Sequence, residues 1–133
     1  MVEVASPYQA KVFLSSNITL ATQYKLAGVH FNRHDLNQLD KKPAGLLCGA
    51  SCHNADELQK AHALDLDYAL LSPVKKTPSH PTANPLGWDT FSALIEHSTI
   101  PVYALGGMEL NDLHAAKLHG AHGVAMQRSI WSL

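Results

Sequence analysis

Two neighbouring glycines and a later arginine are the residues best suited to holding an anion. Gly106 and Gly107 follow the apolar run at residues 101–105 and precede a helical pattern. Without a Cβ, their backbone N–H groups can approach a phosphate closely, and the N-terminus of a following helix would add its dipole. Arg128 follows the last apolar run, where a guanidinium can bind phosphate in a bidentate manner. These residues predict a phosphate site; the alternative is a tight strand-to-helix turn with Arg128 solvated.

Hydroxyl and imidazole groups follow two of the other apolar runs. Ser51 and His53 stand two residues apart at the end of one run, so on a strand they face the same side. The longest irregular stretch, residues 74–87, follows the next run. Its polar residues include Thr77, Ser79 and His80. Loops at the carboxyl ends of parallel strands gather at one edge of a sheet, so we expect these side chains to share a site. His53 is a candidate acid or base there; the alternative is a helix-entry residue that bonds locally.

Several other classes of function are disfavoured. The net charge is −1 with neutral histidines, which gives no basic footprint for nucleic acid. No stretch approaches the roughly 18 apolar residues of a membrane span, and the first ten residues lack the pattern of a secretory signal. We therefore expect a cytoplasmic protein. His30, His34 and Asp35 do not complete a zinc pattern. Cys48 and Cys52 are expected to be buried free thiols.

Short apolar runs alternate with helical patterns, which is typical of a parallel sheet built from βα units. The predicted strands are residues 12–14, 29–31, 46–50, 68–71, 102–105 and 124–126. Asn54 and Glu57 predict a capping box, with the carboxylate reaching back to the helix start. Apolar spacing predicts helices that include Trp88, Phe91, Leu94 and Ile95, and then Leu110, Leu113 and Ala116. Gly120 is placed where the second of these helices should end.

Distinctive sequence motifs lie on the predicted strands and in the loops that follow them. The segments are Gly28-Val29-His30-Phe31 with Asp35-Leu36, Gly49-Ala50-Ser51-Cys52-His53, Ser72-Pro73-Val74 with Thr77-Pro78-Ser79-His80, Pro85-Leu86-Gly87, Ala104-Leu105-Gly106-Gly107 and Ala121-His122-Gly123-Val124-Ala125. In this order they resemble the last six strand-loop motifs of the thiamine-phosphate synthase and thiazole tautomerase superfamily. These motifs are most similar to those of the synthase-like domain found fused behind a Nudix hydrolase in some bacterial proteins.

This resemblance implies an α/β fold of the (β/α)8 TIM-barrel family. The barrel would be incomplete, with about six parallel strands that correspond to strands 3–8. Residues 1–133 would then form a single domain that lacks the first two βα units. Six strands do not close an eight-stranded barrel, so the first and last strands would be open edges. We expect either a homo-oligomer or a fragment of a larger chain.

A synthase of this family joins a pyrimidine diphosphate to a thiazole phosphate and releases pyrophosphate with magnesium assistance. The resemblance implies that the thiazole phosphate is held by Gly106, Gly107 and Arg128. The residues that would face pyrophosphate are Thr77, Ser79, His80 and Ser51. Asp35 matches one magnesium ligand. Ser51, His53 and His80 are the candidate catalytic residues.

The chain departs from the family pattern at three positions. The Asn-Asp pair that supplies another magnesium ligand aligns with Ser15 and Ser16, whose neutral hydroxyls are poor ligands for a hard cation. A loop lysine aligns with His80, and the tautomerase histidine aligns with Pro73. Three hypotheses follow: a thiamine-pathway enzyme, a non-catalytic sensor or accessory domain linked to a Nudix hydrolase, or an assembly scaffold.

Overall fold

A computed structural model describes residues 2–133 and contains six parallel strands that alternate with helices. The strands are β1 (Phe13–Ser15), β2 (Gly28–Phe31), β3 (Leu47–Cys52), β4 (Tyr68–Leu71), β5 (Val102–Ala104) and β6 (Gly123–Val124). The α-helices are α1 (Val2–Ala5), α2 (Ile18–Gln23), α3 (Arg33–Gln38), α4 (Ala55–Ala63), α5 (Gly87–Ile95) and α6 (Leu113–Leu118). Short 3₁₀ turns occupy Ser6–Tyr8, Leu110–Asp112 and Ser129–Ser132. The six predicted strands are confirmed, with small differences at their ends.

The strands form one sheet in the order of the sequence, from β1 to β6, and every neighbouring pair is parallel. The sheet is not closed, because β1 and β6 each pair with a single neighbour. This open parallel α/β sheet is the architecture predicted from the sequence. Since all the strands run in the same direction, the loops that follow them lie at one edge.

One face of the sheet is buried beneath the helices. Its fully buried side chains are Val29, Cys48, Ala50, Cys52, Ala69, Leu71 and Ala104. They form one core with Leu36 of α3, Leu58 of α4 and Phe91 of α5. Burial of a large apolar side chain contributes roughly 1.5–3 kcal/mol, so this layer holds the helices against the strands. Both cysteines lie in it as free thiols, as predicted.

The opposite face of the sheet pairs glycines with aromatic rings. A Cβ on Gly49 would lie 2.0 Å from the Tyr68 ring, and one on Gly28 would lie 2.6 Å from the Phe13 ring. The Tyr68 ring packs edge-on against Phe13 and Tyr103, with centroid separations of 5.6 and 6.0 Å. Residues without side chains on β2 and β3 therefore make room for the rings that cover this face.

Asparagine caps three of the helices one or two residues after a strand ends. Side-chain oxygens of Asn17, Asn32 and Asn54 accept hydrogen bonds from the backbone N–H groups of Leu20, Asp35 and Glu57, respectively. These bonds satisfy free N–H groups of the first helical turn and keep the strand-to-helix turns short. Short turns fix the direction of the side chains at the strand ends.

The predicted capping box at α4 is half correct. Asn54 caps the helix, but the Glu57 carboxylate accepts from the His53 backbone N–H at 2.6 Å and not from the N–H of Asn54. The carboxylate reaches one residue further back because it also meets the His53 ring and the Arg33 side chain there.

The apolar spacing predicted α5 correctly and α6 only in part, because Leu110 lies in the preceding 3₁₀ turn and both Leu110 and Leu113 are exposed. Phe91 and Ile95 of α5 are buried, and Ala116 of α6 is buried as well. Gly120 follows α6 with φ +89°, a left-handed conformation that glycine adopts without strain. No helix formed by residues 2–133 combines the length and the apolar character needed to cross a bilayer.

Candidate functional site

A cleft of about 710 Å³ lies at the carboxyl ends of β3 to β6. It collects eight of the nine residues proposed from the sequence, and their roles stay predictions. These eight are Ser51, His53, Thr77, Ser79, His80, Gly106, Gly107 and Arg128. They converge because each lies at or beyond the carboxyl end of a parallel strand. Asp35 is the exception: it lies on α3 and is not among the residues that line the cleft.

The glycine pair forms a turn that packs against the long loop at residues 74–87. Gly106 and Gly107 have φ values of +97° and +65°, which side chains rarely allow. A Cβ on Gly106 would lie 2.6 Å from Cα of Pro73, and one on Gly107 would lie 2.9 Å from Cβ of Lys75. Two backbone bonds join the segments: Val74 N–H to the Leu105 carbonyl at 2.9 Å and Lys75 N–H to the Gly106 carbonyl at 3.1 Å. Glycine is therefore required here for the turn itself.

The same turn leaves donors for an anion. Across residues 2–133, neither the Gly106 nor the Gly107 amide N–H donates to a protein acceptor. Successive N–H groups in a glycine turn are a common way of binding phosphate oxygens. The expected helix N-terminus is further away, because Met108 and Glu109 intervene before the 3₁₀ turn at Leu110–Asp112. The amides, and not a helix dipole, would supply most of the anion affinity.

The segment after β6 is tied to this turn. Ser129 Oγ donates to the Met108 carbonyl at 2.7 Å, which places the preceding Arg128 on the wall of the cleft. Arg128 is exposed and forms no ion pair with a residue of the described chain, 2–133. Its guanidinium is therefore available to a ligand. Ser129 was not identified from the sequence, since a hydroxyl bonded to a distant carbonyl leaves no local pattern.

Backbone hydrogen bonds hold the two ends of the long loop together, and the middle of the loop is exposed. Leu86 N–H donates to the Pro73 carbonyl at 2.8 Å, and Gly87 N–H donates to the Val74 carbonyl at 3.0 Å. At the tip, Ser79 N–H donates to Thr77 Oγ1 at 3.1 Å. This irregular structure was predicted, and it places the hydroxyl groups of Thr77 and Ser79 on the cleft.

A buried carboxylate orients His53. Glu57 accepts from the His53 ring Nδ1 at 3.1 Å and forms an ion pair with Arg33. Burial alone would raise the pKa of the Glu57 carboxyl, but hydrogen bonds from His53 and the charge of Arg33 outweigh it, so the pKa lies below its ordinary value. Nδ1 is held by the carboxylate, and Nε2 of His53 has no hydrogen-bond partner among residues 2–133. Both sequence interpretations of His53 therefore have a basis: it bonds locally and it lines the cleft.

The interior of the sheet adds a residue that sequence reasoning missed. His30 Nε2 lies 2.8 Å from Ser51 Oγ, and His30 Nδ1 lies 2.8 Å from the Tyr68 hydroxyl. Only Ser51 of these three lines the cleft. The strand alternation that paired Ser51 with His53 also places His30 on the same face of the neighbouring strand, and that signal was available in the sequence.

The donors that line the cleft favour an anion over a bare metal ion. Arg128 and the amides of the glycine turn face it, Glu109 is the acidic residue among its lining, and the charge of Arg33 is balanced by Glu57. Within residues 2–133, no three His, Cys, Asp or Glu side chains are grouped so that they could hold a metal. Asp35 is therefore not part of such a group in this part of the chain, and the residues present do not fit a self-contained magnesium site.

Comparison with known proteins places the chain in a family. Thiamine-phosphate synthases from Nostoc sp. and Limosilactobacillus fermentum are 32% and 31% identical to it, over 96% and 93% of this chain. The matched regions are 37% and 60% of those proteins, so the chain spans less than two thirds of either relative. A solved structure of thiamine phosphate pyrophosphorylase from Pyrococcus furiosus has the same fold, with a TM-score of 0.75 at 22% identity, covering 93% of this chain and 60% of that one. Since the thiamine monophosphate synthase family also matches residues 1–130, the chain belongs to that family.

Proposed function

We propose that this chain binds a phosphorylated compound of the thiamine pathway in the cleft at the carboxyl ends of β3 to β6. The observation that carries the proposal is that the amides of Gly106 and Gly107 and the guanidinium of Arg128 line one cleft and have no partner within residues 2–133. Together they supply several donors and one positive charge to a phosphate. Membership of the thiamine monophosphate synthase family supports a thiamine-pathway ligand over other phosphates.

The proposed ligand arrangement has two ends. The phosphate of a thiazole phosphate, or of thiamine phosphate as the joined product, lies on the glycine turn and Arg128. The hydroxyls of Ser51, Thr77 and Ser79 face the second anionic group, the pyrophosphate of the pyrimidine substrate. When a carbon–oxygen bond to a diphosphate breaks, negative charge accumulates on the departing group, and donors placed there stabilise it.

A calorimetric titration with thiamine phosphate tests this binding. Arg128→Gln removes the charge and keeps a polar side chain, and we expect binding to weaken about tenfold to a hundredfold, as for loss of a charged hydrogen bond. Lys117→Gln is the matched control, because Lys117 is an exposed cation of α6 outside the cleft. Equal effects of the two variants, or no binding by the folded chain, would contradict the proposed site. Titrations with and without magnesium show whether a ligand-borne cation contributes.

The second candidate is a binding domain without catalysis, such as a sensor or accessory unit linked to a Nudix hydrolase. The observation that favours it is the missing metal set: Asp35 stands outside the cleft, and hydroxyls replace the aligned Asn-Asp pair at Ser15 and Ser16. Mixing the pyrimidine diphosphate with the thiazole phosphate and measuring thiamine phosphate separates the two. Formation of product supports a synthase, whereas ligand binding without product supports the accessory role.

A further inference from the structure

Three side chains on neighbouring strands form a hydrogen-bonded row from the interior of the sheet to the cleft. The row runs from the Tyr68 hydroxyl through His30 to Ser51 Oγ, and both contacts are 2.8 Å. His30 and Tyr68 both pair in register with Gly49, which lies between them on β3. Because Gly49 has no side chain, their rings meet across it and stack at a centroid separation of 5.6 Å. The geometry of the row is therefore fixed by the sheet.

The direction of the two hydrogen bonds decides what Ser51 offers to the cleft. A neutral imidazole carries one N–H, so the row has two consistent arrangements. In the first, the Tyr68 hydroxyl donates to Nδ1, Nε2–H donates to Ser51, and the Ser51 hydrogen is left free. In the second, Ser51 donates to Nε2, Nδ1–H donates to Tyr68, and the hydrogen of Tyr68 is left free.

The surroundings of Tyr68 favour the first arrangement. In the part of the chain that the structure describes, the Tyr68 hydroxyl has no hydrogen-bond partner except His30. The rings of Phe13 and Tyr103 pack against its ring, so a free hydroxyl hydrogen there would be half-buried without an acceptor. Burial raises the pKa of Tyr68 to about 12, which keeps its donor proton in place. Burial also lowers the pKa of His30 and disfavours the charged ring that would donate in both directions.

We propose that His30 is a positioning residue that presents the Ser51 hydroxyl as a hydrogen-bond donor to a phosphate oxygen of the ligand in the cleft. An unprotonated phosphate oxygen accepts and cannot donate, so Ser51 binds it only in the first arrangement. The inference rests on the proposed function of the cleft and assigns a residue outside its wall to that function.

The tautomer of His30 can be measured directly on the unsubstituted chain without any ligand. Long-range ¹H–¹⁵N correlation spectra distinguish a ring that carries its proton on Nε2 from one that carries it on Nδ1. We expect the Nε2–H form, and we expect Tyr68→Phe to weaken that preference because Nδ1 loses its donor. A dominant Nδ1–H form in the unsubstituted chain overturns the proposal.

Titration with inorganic pyrophosphate tests the consequence for binding. Ser51→Ala should weaken binding about tenfold to a hundredfold, and His30→Leu about threefold to tenfold, because the hydroxyl is then no longer oriented. His30→Gln places an amide donor near the position of Nε2, so it should restore most of the affinity. Thermal unfolding shows whether each variant is folded. If His30→Leu does not fold, the tautomer measurement on the unsubstituted chain still tests the proposal.

The outcomes separate this proposal from the function of the cleft. If the unsubstituted chain binds neither pyrophosphate nor thiamine phosphate, the proposed function fails, and the role of Ser51 fails with it. If the chain binds pyrophosphate and His30→Leu binds it equally well, only the positioning role of His30 is refuted.

Discussion

Replacing Glu57 with glutamine should destabilise the fold and release His53 from its fixed orientation. The Glu57 side chain is 6% exposed and accepts from the His53 backbone at 2.6 Å, from the His53 ring at 3.1 Å and from Arg33. Glutamine has one acceptor oxygen in place of two. Since Arg33 is 55% exposed and can turn to water, the amide oxygen should stay with His53 and the ion pair should be lost.

The expected loss in the free energy of unfolding of Glu57→Gln can be worked out from these contacts. The half-exposed pair with Arg33 contributes only about 0.5–1 kcal/mol, because water screens it. Loss of charge on the acceptor weakens the two bonds from His53 by about 1–1.5 kcal/mol together. We expect the free energy of unfolding to fall by roughly 1.5–2.5 kcal/mol, and the midpoint of thermal unfolding to fall by about 5–9 °C in a domain of this size.

The stability lost in Glu57→Gln should be greater near neutral pH than in acid. The folded pKa of Glu57 lies below the ordinary value of 4.5, so its carboxylate stabilises the folded state fully above that value. The contribution is lost as the pH falls through the folded pKa. The difference between Glu57→Gln and the unsubstituted chain should therefore be largest near neutral pH and shrink in acid.

Asp56→Asn is the matched control. Asp56 stands beside Glu57 in the first turn of α4 but is exposed, so the substitution removes the same charge from the same helix end. Calorimetry of thermal unfolding at several pH values compares the two variants. An equal loss of stability in both variants would show that the contacts of Glu57 contribute nothing specific, because a helix-dipole effect alone would then explain it.

Two further substitutions and one labelling experiment test the packing. Gly49→Ala should destabilise by more than about 2 kcal/mol in denaturant unfolding, because its Cβ would overlap the Tyr68 ring. The control is Gly45→Ala, because a Cβ there would meet nothing within 4 Å; it should lose only about 1 kcal/mol, from the strain of its left-handed backbone. A larger loss of stability in Gly45→Ala than in Gly49→Ala would contradict this prediction. Cys48 and Cys52 should resist a thiol reagent in the native state and react on unfolding, since burial raises the pKa of both thiols, that of Cys52 to about 12; rapid native labelling would disprove the buried layer.

The positions of the strands and of the loops that follow them were accessible from the sequence because they rest on local signals. The strand order was implied by the family resemblance, since alternating strands and helices suit a barrel or a doubly wound sheet equally well. Apolar runs marked the strands, and glycine and proline marked the loops that follow them. In an all-parallel sheet these signals also fix which loops meet. Gly106 and Gly107 were identified as an anion site, but their close packing against the loop after β4 was not, since a clash with Lys75 depends on tertiary geometry.

Local patterns did not show the individual contacts that orient the site, because their partners are far apart in sequence; strand alternation could have placed His30 on the same face as Ser51, but not its bonds. Arg33 reaches Glu57 across 24 residues, and His30 reaches Tyr68 across 38. The local pattern assigned Glu57 to a capping box because nothing nearby indicated a competing donor. The expected magnesium ligand at Asp35 and the expected self-association through the edge strands β1 and β6 stay predictions.

Amide chemical-shift mapping with thiamine phosphate shows where on the chain the phosphate binds. We expect the largest shifts at Gly106 and Gly107, with smaller shifts at Ser79 in the loop after β4. Shifts confined to the open groove between α5 and α6, around Ser92 and His119, or no shifts at all in a folded chain, would contradict a phosphate site at the carboxyl ends of the strands.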